Sequence, residues 1–232
     1  MKRKVVLIMA LALALALGAF APATAEDSIS KPETLVEEAR LTLQSLTSDP
    51  NFSWLTTHLK DAQGVLIIPQ FLKGGFIIGG SGGSGVLLVR DRQSGQWSQP
   101  VFYTLGGLSI GLQMGGEAAQ VILMVRTQRG VDALMTSGFK LGGDAAVAAG
   151  PIGMAMEGAT PHNLSADFLS FAKAKGAYAG MSLEGAIVKV RNDWNEQYYG
   201  KPVSPTDIVV TKAVSNPHSA ALRAVLGAVA RR

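Results

Sequence analysis

The sequence predicts an α+β fold, a curled antiparallel sheet or partial β-barrel with flanking N- and C-terminal helices. Three observations lead there. Residues 64–116 are short apolar runs broken almost wholly by glycine. Apolar residues recur at helical spacing before that block (Leu35, Val36, Ala39, Leu43, Leu46) and at the chain's end (Leu222, Val225, Leu226, Val229). Strand-like runs resume between Asp167 and Val190. Helical stripes at both ends with strands between them describe a sheet whose faces or edges are covered by helices.

The elements follow in order. Lys2-Arg3-Lys4, an apolar run over 5–20 and Ala23-Thr24-Ala25 read as a secretory signal peptide, residues 1–25, cleaved after Ala25. Residues 26–232 are then expected to form a single domain. Ser30-Lys31-Pro32-Glu33 has capping-box spacing, so a helix runs from there to about Ser48. Asp49-Pro50 ends it, and residues 51–61 read as a second short helix. Strands are predicted over 65–69, 75–79, 85–90, 100–105, 108–114 and 120–127, with the glycines at turns, bulges or close backbone approaches. A short helix reaches Met135, and an Ala/Gly segment covers 141–153 before a polar loop at 161–163. Residues 167–173 and 176–190 are expected to form a hairpin turning at 173–176. A short helix at 193–198 and a loop over 199–205 follow. The final helix, after Asn216-Pro217, either docks on the sheet or lies at a membrane interface; its alanine-rich face, lacking aromatics, makes docking the expectation.

Composition narrows the function. The chain carries 21 Lys and Arg against 17 Asp and Glu. Removing Lys2, Arg3 and Lys4 with the signal leaves 18 against 17, a balance of +1, so no nucleic-acid partner is expected. With no cysteine there is no disulfide framework, thiolate metal site or cysteine nucleophile.

The motifs that superficially carry chemistry fail on context. Gly80-Ser81-Gly82-Gly83-Ser84-Gly85 fits G-x-G-x-x-G, but the apolar run after it reads as a strand, whereas a dinucleotide site needs a helix there. Two G-x-S-x-G matches centre on Ser81 and Ser109. A hydrolase elbow requires a sharp strand-to-helix turn at that serine, and neither has a helix after it. With His58, His162 and His218 dispersed, a serine hydrolase ranks last among the functional classes, and no metal pattern is present. No catalytic, cofactor-binding or metal-binding residue is assigned. Basic residues fall instead at predicted strand ends and turns, Lys60, Arg90, Arg126 and Lys140 among them. Lys73, Lys173 and Lys175, read as turn residues beside glycine, are the candidates for an anionic lipid head group.

Seven segments also occur in an order that resembles the SYLF domain family over residues 61–210. They are Ala62 through Pro69; Gly74-Gly75-Phe76 with the glycines to Gly85; Trp97-Ser98-Gln99-Pro100; Ser109-x-Gly111-x-Gln113-x-Gly115; Leu141 through Asp144 with Ala149-Gly150-Pro151; Lys175-Gly176 with the stretch from Gly180 to Gly185; and Asn195 with Tyr199-Gly200. The resemblance implies a non-catalytic lipid-binding domain. Eukaryotic members bind phosphoinositides, including phosphatidylinositol-type head groups, and some fungal members bind actin, a partner not expected for an exported chain. The basic amphipathic N-terminal helix of the eukaryotic members is replaced here by a net acidic segment at 33–40, so that membrane-binding role does not transfer. The expectation is a periplasmic or secreted cell-envelope protein that binds an anionic lipid or membrane surface. The alternative is a structural or interaction protein binding an envelope protein partner.

Overall fold

The computed structural model describes residues 30–75, 78–110, 115–151, 165–174, 177–179 and 183–231. The expected signal peptide, the polar loop at 161–163 and Lys175 lie outside the described residues.

Helix α1, Lys31–Thr47, starts where the capping box places it. The Ser30 hydroxyl accepts from the Glu33 amide, and the Glu33 carboxylate accepts from the Ser30 amide at 2.9 Å. Its stripe Leu35, Val36, Ala39, Leu43 and Leu46 is buried. Asp49 caps a 3-10 turn, Pro50–Phe52, which leads into α2, Ser53–His58, and a second 3-10 turn, Leu59–Asp61.

The sheet follows, with β1 Gly64–Gly75, β2 Ile78–Val89, β3 Val101–Ile110 and β4 Gly115–Val125. After α3, Gln128–Leu134, come β5 Gly138–Lys140, β6 Val147–Ala149, β7 Phe168–Ala174, β8 Ala177–Ala179 and β9 Ile187–Val190. The chain closes with α4 Asn192–Tyr199, α5 Pro205–Val209 and α6 Ala220–Val229. Strand order is β5-β9-β3-β2-β1-β4-β7-β6, with β8 on β7. The pairs are antiparallel except β6 with β7. The result is the expected α+β curled sheet, a partial barrel.

The glycine block departs from the expected pattern of short strands and turns. Residues 80–85 do not turn; they lie inside β2, paired residue by residue with β3 from Ile78↔Ile110 to Leu87↔Val101. The glycines serve a bulge in the neighbouring strand. Between Ile68↔Val121 and Phe71↔Ala119, β1 carries one residue more than β4, so Pro69 and Gln70 stand opposite Gln120 alone. This bulge is also what admits a proline to a central strand. On the other side a Cβ at Gly83 would lie 2.5 Å from the Gln70 carbonyl oxygen, and one at Gly85 2.9 Å from that of Ile67. Close approach, not turning, is why side chains are absent there.

The expected hairpin over 167–190 is also corrected. Only β7 and β8 form it. β9 crosses to the far side of the sheet and inserts between β3 and β5, because Val188 is apolar and joins the core there. The loop predicted to Pro205 ends in a helix not foreseen, α5, capped by Ser204 and Asp207.

Each face of the sheet carries a core. On one, Val65, Ile67, Val86, Leu88, Ile122 and Met124 pack against α1, α2 and the α6 residues Leu222, Leu226 and Val229, so the terminal helix docks. On the other, Leu66, Ile68, Leu87, Tyr103, Leu123 and Val125 fill the concave side with Leu134, Phe139, Phe168 and Val188. The free edges approach each other there. Phe139 of β5 stacks on Phe168 of β7 with centroids 5.7 Å apart, and a bridge joins Leu141 to Ala145. Asp167 fastens this seam: its carboxylate accepts from the Thr127 hydroxyl, from Arg129 Nε at 2.9 Å and from the Ala146 amide at 2.9 Å.

Candidate functional site

Of the three lysines singled out by sequence, Lys175 lies outside the described residues, and Lys73 and Lys173 do not come together. Lys73 and Lys173 sit within β1 and β7, not in turns. Lys73 is in register with Ser81 and Glu117 and, two residues beyond Phe71, projects on the concave face. Lys173 pairs with Gln120 and projects on the helical face, where its Nζ lies 2.9 Å from Asp49 and 3.4 Å from Ser45 Oγ. The Lys173 ammonium and the Asn51 amide hold the Asp49 carboxyl below its usual range. The positive charge of Lys173 is thus matched within the protein, and the contact pins the end of α1 to β7.

What does gather here is an amphipathic surface. A cleft of about 580 Å³ between α1 and the sheet is lined by Glu38, Leu41, Thr42 and Ser45 on one wall and by Pro69, Gln70, Ala118, Gln120 and Lys173 on the other. A second cleft, about 690 Å³, is lined by Leu72, Lys73, Gly80, Gly82, Glu117 and Ala118. Ala118 lines both and pairs with Leu72 across the strands. Leu41, Ala118 and Leu72 therefore make a near-continuous apolar strip, with each leucine 51% exposed. The bulge helps shape it, since both Pro69 and Gln70 line the first cleft. Leu41 was detectable in sequence as a large apolar residue off the buried stripe of α1. Leu72 was not, because the bulge that sets its face leaves no periodic signal.

Three other basic residues are occupied. Arg129 pairs with Asp167, and Arg92 donates to Gln63 at 2.8 Å. Arg191 grips Asp193 and lies 4.2 Å over the Trp194 ring.

Both serines of the hydrolase matches lie within strands. Ser81 lies mid-strand, donating to the Gly107 carbonyl at 3.4 Å, and Ser109 lies within β3. His58 stacks on Trp54 with its Nδ1 2.8 Å from the Trp54 carbonyl, and His162 lies outside the described residues. Among the described residues no group of three His, Asp or Glu side chains is placed to hold a metal ion, and no helix is long and apolar enough to cross a membrane.

Comparison with known proteins places this architecture. Residues 106–229 match the family model described as Ysc84, Las17-binding protein actin regulator. The human SH3 domain-containing YSC84-like protein 1 is 33% identical over 149 residues, covering 64% of this chain and 43% of that protein. The LAS seventeen-binding protein 3 of Saccharomyces cerevisiae is 35% identical over 145 residues, covering 61% and 31%. An SH3 domain-containing protein of Schizosaccharomyces pombe is 35% identical over 144 residues, covering 61% and 33%. The matches span less than half the length of these curated relatives. With more than half of its length matched by the family model, the chain belongs to the Ysc84, or SYLF-domain, family.

Proposed function

We propose that this is a non-catalytic lipid-binding protein of the cell envelope, periplasmic or secreted, that holds an anionic phospholipid or similar amphiphile. The observation carrying this reading is the exposed strip Leu41–Ala118–Leu72 with Lys173 at its margin and Lys73 on the reverse face of the strand that carries Leu72. Half-exposed leucines side by side are what an acyl chain or membrane surface covers favourably, at about 25 cal/mol per Å² of apolar area removed from water. Nearby lysines add attraction to phosphate. Because Asp49 neutralises Lys173 and Glu117 stands opposite Lys73, the apolar term is expected to dominate and the dependence on salt to be mild.

Co-flotation of the purified protein with phosphatidylglycerol and with phosphatidylcholine vesicles, at low and high salt, tests this. Binding stronger to phosphatidylglycerol is expected, and loss of binding in the Leu41→Ser, Leu72→Ser double variant. Exchange of Lys73 and Lys175 for Gln measures the charge contribution; Lys173 is left intact because it ties α1 to β7. No flotation with either vesicle removes the reading.

A second reading is favoured by the family itself, whose description and yeast relative's name speak of binding Las17. In that reading the same strip meets a protein partner in the envelope. Site-specific cross-linking from Leu72 that captures one stoichiometric protein, with no vesicle binding, decides for it.

A further inference from the structure

The start of β1 and the ends of β2 and β4 form a basic end of the sheet, remote from the strip. Gly64 pairs with Val89 and with Val125, which brings Arg90 and Arg126 to either side of Gln63. Beside them lies a cleft of about 590 Å³ between the loop after β2 and α6, lined by Arg90, Trp97, Arg223 and Arg231 together with Ser94, Gly95 and Gly227. Among the described residues no carboxylate lines it. The nearest acid of that loop, Asp91, is engaged elsewhere: one oxygen accepts from the Gln93 and Ser94 amides and the other from Lys212 Nζ.

The three guanidinium groups have donors to spare, and two of them are held by hydrogen bonds. Arg223 donates its Nε to the Trp97 carbonyl at 2.9 Å, and neither of its Nη atoms has a hydrogen-bond partner among the described residues. Arg90 donates Nε to the Gly95 carbonyl at 3.3 Å and Nη1 to the Lys60 carbonyl, leaving Nη2 free toward Gly95. Arg231 folds back along α6, its Nη1 3.5 Å from where a Cβ of Gly227 would stand, with Trp97 Cδ1 3.8 Å from the same point. Like charges brought together repel, and two of these are fixed by backbone carbonyls instead of by carboxylates. Planar forks with unused N–H groups match the oxygens of phosphate.

We propose that the cleft formed by Arg90, Arg223 and Arg231 is a recognition site for a phosphate-type oxyanion, a phosphomonoester or phosphodiester presented either free or on a head group. The site stands on its own geometry and does not depend on the lipid reading above.

The test is titration of the full chain with inorganic phosphate and with glycerol phosphate, against chloride at matched ionic strength, read at the NMR signals of Gly95, the Trp97 indole and Gly227. Saturable shifts absent with chloride are expected. They weaken about tenfold in Arg223→Gln and in Arg231→Gln, and persist in Lys189→Gln, which removes a charge elsewhere. Arg231→Gln breaks no hydrogen bond or ion pair among the described residues, so it answers even if Arg223→Gln is unstable. Shifts equal with chloride, or unchanged in both arginine variants, overturn the proposal. Phosphatidylglycerol vesicles that displace glycerol phosphate assign the group to a membrane, and failure to displace it assigns it to a soluble ester; both outcomes keep the cleft. Vesicles bound through Leu41 and Leu72 with no phosphate response remove the cleft and leave the lipid reading intact.

Discussion

Asp167 shows how much one buried group holds. It is 4% exposed, and burial alone would push its carboxyl up; the hydrogen bonds from Thr127, Arg129 and Ala146 outweigh that and hold it below the usual carboxylate value. Its partners are unequal. The Arg129 side chain is 65% exposed, so solvent screens that pair, whereas the Thr127 and Ala146 donors sit in the seam. Asp167→Asn should therefore destabilise by about 2–4 kcal/mol, and Arg129→Gln by under about 1 kcal/mol, measured by urea unfolding. The pH dependence has a definite sign. A depressed folded-state value means the unfolded chain binds the proton first, so the stabilisation is complete above the unfolded carboxylate value of about 4. It is lost as pH falls through the lower folded value. The gap between wild type and Asp167→Asn should stay constant from neutrality to about pH 5 and close below about pH 4; a gap unchanged at pH 3 would show that the charge contributes nothing. None of this was legible in sequence, because Asp167 meets Thr127 across 40 positions. The same limit applies to the lysines: residue type and a neighbouring glycine pointed to Lys73 and Lys173, but the face each takes depends on a bulge and on Asp49.

At the scale of elements, sequence reasoning worked where a local rule was sufficient. The capping box, the break at Asp49-Pro50 and the stripe of α6 each specify an element within a few residues, and each appears. In the glycine block the sequence points to close backbone approach as well as to turns, but it breaks the chain between residues 79 and 85, where β2 runs on without interruption. The reason lies in another element: the bulge at Pro69 and Gln70 pushes β1 backbone toward β2, and only residues without a Cβ fit beneath it. This separates glycines that share one motif. At Gly83 an added methyl meets the Gln70 oxygen at 2.5 Å and Ile68 Cγ2 at 2.8 Å, whereas at Gly80 nothing lies within 4 Å. Gly83→Ala should destabilise by about 1–3 kcal/mol, while Gly80→Ala should be neutral or stabilising by up to about 1 kcal/mol through loss of unfolded-state freedom. Equal effects in thermal or urea unfolding would mean that the glycines answer to the motif and not to the bulge.

Across the whole molecule, the sheet is the wall between two cores and also what couples them. Along β1 alternate residues enter opposite sides, Val65 and Ile67 the helical core, Leu66 and Ile68 the concave one, and β2 and β4 do the same. Because the same backbone carries both sets of side chains, loss of packing in one core is expected to loosen the strands that support the other. All three tryptophans report on one side only: Trp54 and Trp97 belong to the helical core and Trp194 packs against it. A substitution in the opposite core then tests the coupling. Leu66, fully buried on the concave side, should cost about 2–5 kcal/mol when changed to Ala. If residues 26–232 behave as a single domain, that loss must shift the tryptophan fluorescence transition as far as it shifts far-UV circular dichroism, with the two curves superimposed. A fluorescence midpoint that stays at the wild-type value while the dichroism melts early would mean that the helical layer survives without the barrel. The strip of Leu41 and Leu72 would then straddle two independently melting units, and a ligand there would act as a clamp between them.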